Sequence, residues 1–183
     1  MSEARKVPAW TDPKADLEAL APEDRRRWVL RYAIEPALAE LPPLPSPGRA
    51  RVMMLAIAGV ESGCYARRQV PVAHARGLWQ FERLGGVAGV LAHRATVGHA
   101  AAALRRRQIP AAPDEAWRAL ERDDVLAAIF ARLLLLSDPA PLPDNLITGR
   151  AVYLRTWLPG KPSSAAKWAD SWAMAALAVD AVA

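Results

Sequence analysis

Glu61 is the side chain in this sequence that is best placed for acid–base chemistry. It follows the segment RVMMLAIAGV, residues 51–60, which would be apolar on nearly all sides as a helix. Burial at the end of such a helix would disfavour the ionised carboxylate and raise the pKa of Glu61. A glutamate with a pKa of about 6 can stay protonated and donate a proton to a glycosidic oxygen. The alternative is a glutamate at a helix end that simply faces water.

A second candidate segment is GLWQFE, residues 77–82. Sugar rings present apolar faces to aromatic planes and hydroxyls to amides, so Trp79 beside Gln80 suits a glycan-binding cleft. Core packing is the alternative for Trp79. It is equally the alternative for three later tryptophans whose spacing suits a buried helical face, namely Trp157, Trp168 and Trp172.

Together, the Glu61-Ser62-Gly63 motif and the later Gly-Leu-Trp-Gln segment resemble the soluble lytic transglycosylase and goose-type lysozyme superfamily. In that superfamily a helix ending in Glu-Ser is followed by a loop and a Gly-Leu-Met-Gln type segment, so Trp79 stands where methionine is common. The resemblance implies that Glu61 is the catalytic acid and that Ser62 supports it. It also implies peptidoglycan glycan strands as the substrate, and a cleft lined by Gly77, Leu78, Trp79 and Gln80.

The superfamily has a third element, an Ala-Tyr-Asn-Ala-Gly type segment whose tyrosine points back at the catalytic glutamate. The best match here is Ala151–Arg155, which contains Tyr153 but lacks the asparagine and the glycine. The longer stretch AVYLRTWLPGKP, residues 151–162, also resembles small bacteriophage proteins with ES, GLWQFE and W-x-PGKP elements. These resemblances imply that Tyr153 and Trp157 belong to the site. They also imply a phage protein, either carried in the virion with other virion proteins or released at lysis.

Glu82 bears on the mechanism. Inverting hydrolysis needs a second carboxylate to hold a water, yet residues 64–77 contain no Asp or Glu. Lytic transglycosylases, by the resemblance, need only one acid, because a hydroxyl of the muramic sugar attacks and leaves an anhydro end. We therefore expect a transglycosylase with Glu61 as acid and then base. Glu82 is a possible second carboxylate of a muramidase, but we expect it to form a salt bridge with Arg83 or Arg76.

Helical periodicity predicts the elements that position these residues. A helix from Pro22 to Leu41 should be kinked by Pro36, and a central buried helix should run from Pro47 to Gly63. Further helices are predicted over residues 87–93, 97–107, 114–122, 124–136, 145–157 and 164–182. No stretch alternates between apolar and polar residues for long enough to predict a β-sheet. The expected fold is all-α: a lysozyme-like domain of about seven or eight helices over residues 21–183, after a loosely ordered arm, residues 1–20.

The amino-acid composition indicates which classes of partner the protein could bind. The net charge of +5 favours an anionic partner such as an acidic polysaccharide, lipid headgroups or nucleic acid, although codon bias toward arginine would also produce it. No recognised nucleic-acid-binding motif accompanies the arginine clusters at residues 25–27 and 105–107, so nucleic acid is not the expected partner. The histidines lack the spacing of zinc ligands and Cys64 stands alone, so no metal or cofactor is expected.

The first twenty residues contain no apolar core of signal-peptide length, so we expect no signal peptide. No run of about 18 apolar residues that could span a membrane occurs in the sequence. We therefore expect synthesis in the bacterial cytoplasm, with phage machinery delivering the protein to the cell wall. A hypothesis from another class also stands. It is a phage structural or wall-binding protein that keeps the lysozyme-like fold but cleaves nothing, and the incomplete tyrosine segment favours it.

Overall fold

The computed structural model describes residues 8–69, 71 and 74–181, and most of them are helical. The predicted all-α class is therefore confirmed. The α-helices are α1 (Pro22–Val29), α2 (Glu35–Glu40), α3 (Pro47–Ser62), α4 (Ala88–Ala92), α5 (Val97–Arg106), α6 (Pro113–Ala119), α7 (Asp124–Ser137), α8 (Leu146–Trp157) and α9 (Ala165–Asp180). These bounds follow the predicted helices closely, except that the predicted end of the last helix, Val182, lies outside the described residues.

The central helix α3 is buried along most of its length, as its apolar sequence predicts. Pro47 begins it, in the first turn, where the missing amide proton costs no hydrogen bond. Gly63 ends it in the left-handed conformation, with φ of 62°. Helices α7 and α9 pack against α3, and this packing fixes the direction in which the end of α3 points.

Pro36 does not break its helix. A π-helical turn, Leu30–Ile34, joins α1 to α2 immediately before the proline. In a regular α-helix the proline ring would collide with the carbonyl four residues earlier. The wider π turn relieves that collision, so the expected kink takes the form of a local change in helix type.

A small antiparallel hairpin was not predicted. Its strands are β1 (Ala75–Arg76) and β2 (Phe81–Glu82), and the turn between them is the Gly-Leu-Trp-Gln segment. Strands of two residues are too short to show an alternation of apolar and polar residues, which is why the sequence predicted no sheet. The turn begins at Gly77, with φ of 73°, where a Cβ atom would lie 2.6 Å from the carbonyl oxygen of Leu120. Only glycine fits there without displacing backbone.

The segment before α1 packs against that helix. Residues 8–20 contain two short 3₁₀ helices, Ala9–Thr11 and Leu17–Ala19, and the Leu17 side chain is buried. Two side chains of α1 hold this segment. The Trp28 indole donates to the Asp12 carbonyl over 2.9 Å, and the Arg25 guanidinium donates to the Leu17 carbonyl over 2.7 Å. Of the predicted arm, residues 1–20, the part from residue 8 onward therefore lies against α1, and residues 1–7 lie outside the described part.

Within the described residues, the helices are all too short or too polar to cross a membrane.

Candidate active site

Glu61 lies in the last turn of α3 and lines a cleft of about 1220 Å³. Most of the cleft wall comes from four parts of the chain, namely residues 16–18, residues 65–69, the hairpin with the turn after it, and residues 156–161. Gly89 of α4 and Leu134 of α7 complete it. The buried helix thus delivers a single carboxyl to an open cavity, and the end of an apolar helix is where a carboxyl is most readily desolvated.

The surroundings of Glu61 raise its pKa above the ordinary value. Burial has the largest effect, because desolvation penalises the ionised carboxylate, and the nearby negative charge of Glu82 adds to the rise. Two groups act in the opposite direction. The Tyr153 hydroxyl donates a hydrogen bond to the carboxylate, and the positive charge of Lys167 attracts it. The elevated pKa that we expected from the sequence is therefore present.

Tyr153 reaches Glu61 although its segment departs from the superfamily pattern. The hydroxyl donates to Glu61 Oε1 over 2.6 Å, across 92 residues of sequence. The phenol ring is buried in α8 and stacks on Trp168 of α9, with the ring centroids 5.2 Å apart and the planes 9° from parallel. Packing therefore holds the hydroxyl against the carboxyl, and the missing asparagine and glycine do not prevent the contact.

Ser62 connects α3 to the hairpin turn. Its hydroxyl lies 2.6 Å from the Leu78 carbonyl oxygen and 3.0 Å from the Ala58 carbonyl oxygen. Both Ser62 and Leu78 are buried, so the hydroxyl satisfies a carbonyl that water does not reach. The hydroxyl thus connects the end of α3, next to Glu61, to the hairpin turn.

The hairpin turn does not line the cleft in the way the resemblance implied. The side chains of Leu78 and Trp79 are fully buried, and the Trp79 indole donates to the Met54 carbonyl over 2.8 Å inside the core. Gly77 is buried as well. For Trp79 the alternative of core packing is therefore correct, because its ring fills the space beside α3. Of this segment, Gln80 lines the cleft, and its amide donates to the Ala66 and Gly77 carbonyls.

Trp157 provides an aromatic surface in the cleft. It is half-buried, and its indole nitrogen donates to the Trp79 carbonyl over 3.0 Å. Its ring lies 5.8 Å from that of Phe81, centroid to centroid. Trp168 and Trp172, by contrast, pack on one another and on the core. Among these three tryptophans, the structure brings Trp157 to the cleft.

Glu82 lines the same cleft as Glu61, and its side chain is exposed. The expected salt bridge with Arg83 or Arg76 is wrong. Arg83 pairs with Asp114 at 2.7 Å, and Arg76 pairs with Glu121 at 3.1 Å. Within the part of the chain that the structure describes, Glu82 takes part in no salt bridge. It is thus free to act on a ligand in the cleft.

Lys167 is a site residue that sequence reasoning missed. It lies in the first turn of α9, and its ammonium group donates to the Val60 carbonyl over 2.6 Å. This bond satisfies a carbonyl in the last turn of α3 and places a cation near Glu61. No local pattern marks the lysine, since 107 residues separate it from its partner.

Cys64 is not a candidate nucleophile. Its side chain is buried, and burial raises the pKa of the thiol to about 11, so the reactive thiolate is scarce at neutral pH. Across residues 8–69, 71 and 74–181, no group of three or more His, Cys, Asp or Glu side chains is arranged to hold a metal ion.

These residues form an arrangement suited to proton transfer. A carboxyl with a raised pKa faces the cleft, and a buried tyrosine holds one of its oxygens. The exposed residue Glu82 lines the same cavity, as do Asp16 and Glu18. Such a set can protonate a leaving oxygen and stabilise the carboxylate that results. Comparisons of the chain with models of known protein families, with curated proteins and with solved structures found no match.

Proposed function

We propose that this protein cleaves the glycan strands of peptidoglycan as a lytic transglycosylase, with Glu61 as its single acid and base. The observation that carries the proposal is the desolvated Glu61 carboxyl, held by Tyr153, at a cleft of about 1220 Å³. Pockets for small ligands usually measure about 300–1,000 Å³, so this volume favours an oligomeric ligand. The resemblance of the Glu-Ser and Gly-Leu-Trp-Gln motifs to the superfamily supports the choice of a glycan.

In the proposed reaction, protonated Glu61 donates its proton to the glycosidic oxygen as the bond from that oxygen to C1 of the muramic sugar breaks. The Tyr153 hydroxyl and the charge of Lys167 stabilise the new carboxylate. The Glu61 carboxylate then takes the proton of the C6 hydroxyl of the muramic sugar, and the oxygen of that hydroxyl forms a bond to C1. The products are an anhydro sugar end and a free hydroxyl on the leaving sugar, and Glu61 is protonated again without any net uptake of water.

A two-carboxylate muramidase is a second candidate, and the position of Glu82 favours it. Glu82 is exposed in the same cleft, and its expected arginine partners bind other carboxylates. In that mechanism Glu61 protonates the leaving oxygen while Glu82 activates a water. The products would then carry reducing ends in place of anhydro ends.

The proposed setting is a bacteriophage, in which the protein opens the wall at infection or at lysis. This setting rests on the resemblance of residues 151–162 and of the two upstream motifs to small phage proteins. A non-catalytic wall-binding protein is the competing hypothesis. The contact between Tyr153 and Glu61 weakens it, because the incomplete tyrosine segment was the reason for favouring it.

The Glu61→Gln variant tests the proposal. The substitution keeps the shape of the side chain and removes the proposed proton donor, so we expect a folded protein that releases at least about a hundredfold less soluble material from purified murein. Wild type should release fragments with anhydro ends, identified by mass spectrometry. Substantial activity in Glu61→Gln would exclude Glu61 as the acid, and wild type that pellets with sacculi without solubilising them would establish the wall-binding alternative.

The Glu82→Gln variant separates the two mechanisms. A transglycosylase should keep its activity within about tenfold, whereas loss of a required general base costs about a hundredfold or more. The same mass spectra provide the second readout. Reducing-end products from wild type, together with an inactive Glu82→Gln protein, would replace the transglycosylase with the muramidase.

A further inference from the structure

Leu158 is an exposed leucine in a backbone conformation that disfavours leucine. It follows the last residue of α8 with φ of 46° and ψ of 49°, the left-handed region. Glycine or asparagine usually occupies such a position, because the Cβ atom of other residues comes too close to the following carbonyl oxygen. The side chain is 76% exposed, so burial does not compensate for the backbone conformation.

The fold makes little use of this side chain. Its neighbours Leu154 and Trp157 pack against the core, but in the described part of the chain Leu158 is not among the residues that do so. It instead lines the cleft that contains Glu61, in the same wall segment as Trp157 and Lys161. A strained, exposed apolar residue at the lining of a cleft is typical of a binding position, where a ligand provides the contact that the fold lacks.

We infer that Leu158 is a specificity-determining residue of the cleft, packing against the apolar face of a bound N-acetylated sugar or against its acetamido methyl group. The inference rests on the proposed function, since it takes the ligand to be a glycan. Binding would remove the leucine from water and so offset the two unfavourable features of its free state. The adjacent Trp157 ring extends the same apolar wall, so a sugar ring seated there contacts both side chains.

Leu158→Gly tests this inference through opposite effects on stability and binding. Glycine relieves the left-handed backbone, so Tm should rise by about 1 to 4 °C. Affinity for a soluble N-acetylglucosamine tetramer, titrated into protein carrying Glu61→Gln to prevent turnover, should fall about five- to twentyfold. In active protein, KM for solubilised glycan strands should rise with kcat unchanged. Leu158→Met keeps an apolar side chain and should retain most of the affinity.

Gln108→Gly is the matched control. Gln108 is also an exposed non-glycine residue in the left-handed region, with φ of 57°, but it lies between α5 and α6 and does not line the cleft. This variant should gain stability in the same way and keep its affinity for the tetramer. A loss of affinity specific to Leu158→Gly therefore reports a contact with the ligand rather than a change in stability.

The outcomes separate the inference from the proposed function. Unchanged affinity in Leu158→Gly would overturn the inference, provided that wild type binds the tetramer. A wild type that neither binds the tetramer nor acts on murein would overturn both. If Leu158→Gly weakens binding while Glu61→Gln remains active on murein, the role of Leu158 stands and the assignment of Glu61 fails.

Discussion

Two opposed influences set the protonation state of Glu61. Burial and the charge of Glu82 favour the neutral acid, whereas the hydrogen bond from Tyr153 and the charge of Lys167 favour the carboxylate. A residue that must donate and then recover a proton needs both its protonated and its ionised form to be accessible, and these opposing effects on Glu61 keep both accessible. Because the Tyr153 bond is short and directed at one oxygen, its removal should change the balance in a known direction.

At the residue scale, we predict that Tyr153→Phe lowers turnover by about tenfold or more, because a donor aligned on the reacting group matters most when charge develops. The hydroxyl normally lowers the pKa of Glu61, so its loss should raise that pKa further. Since the acid acts in its protonated form, the alkaline limb of the pH–activity profile should move to higher pH. Rates measured across pH on solubilised glycan strands check both effects.

Tyr32→Phe is the control for this variant. Tyr32 is half-buried, and its hydroxyl donates to the Thr11 carbonyl, away from the cleft. Its loss should lower the free energy of unfolding by about 1 kcal/mol and leave the pH–activity profile in place. If Tyr153→Phe behaved in the same way, Tyr153 would have only a structural role.

At the element scale, the orientation of Glu61 depends on how α3 is joined to the hairpin. Ser62 makes that connection through the buried carbonyl of Leu78 in the hairpin turn. The same turn contributes Gln80 to the cleft and leads into β2, which contains Glu82. One hydroxyl therefore links the element bearing the proposed acid to the element bearing the second carboxylate.

We predict that Ser62→Ala lowers the free energy of unfolding by about 1–3 kcal/mol, since a buried carbonyl loses its donor. Activity should fall by about tenfold or more, because small displacements of the reacting groups are costly to the rate. Urea denaturation and murein release measure the two effects. Ser137→Ala, which removes a local hydroxyl-to-carbonyl bond at the end of α7, should change each only slightly. Equal effects from the two variants would contradict a special role for Ser62.

At the scale of the whole molecule, the raised pKa of Glu61 makes folding stability depend on pH. The folded pKa lies above the unfolded one, so the folded state favours the protonated acid. The stabilisation that Glu61 contributes is fully present below pH 4.5, the ordinary pKa of a glutamate, and it is lost as the pH rises through the pKa of the folded state. Above the folded pKa, the ionised carboxylate in its desolvated position therefore opposes folding.

We predict that Glu61→Gln raises Tm relative to wild type more at pH 8 than at pH 4, because glutamine does not ionise. Thermal unfolding followed by circular dichroism at both pH values checks this difference. A Tm difference for Glu61→Gln that is the same at both pH values would contradict the raised pKa.

The sequence by itself determined the helices and the position of Glu61 among them. The apolar run that becomes α3 has one stable environment, the core, and Pro47 and Gly63 limit it by their backbone preferences. A carboxyl directly after such a run is desolvated for a local reason, so its raised pKa could be predicted.

Only the tertiary structure decided which distant residues meet at Glu61. Tyr153 and Lys167 come from α8 and α9. The packing of α9 on α3 and of α8 on α9, rather than any local pattern, brings them to the carboxyl. Trp79 is buried in the core because its ring fits beside α3, whereas Trp157 lines the cleft. Glu82 lacks its expected arginine partners because Asp114 and Glu121 lie closer to them in space. Contacts of this kind depend on distances between elements, which a pattern read along one chain does not contain.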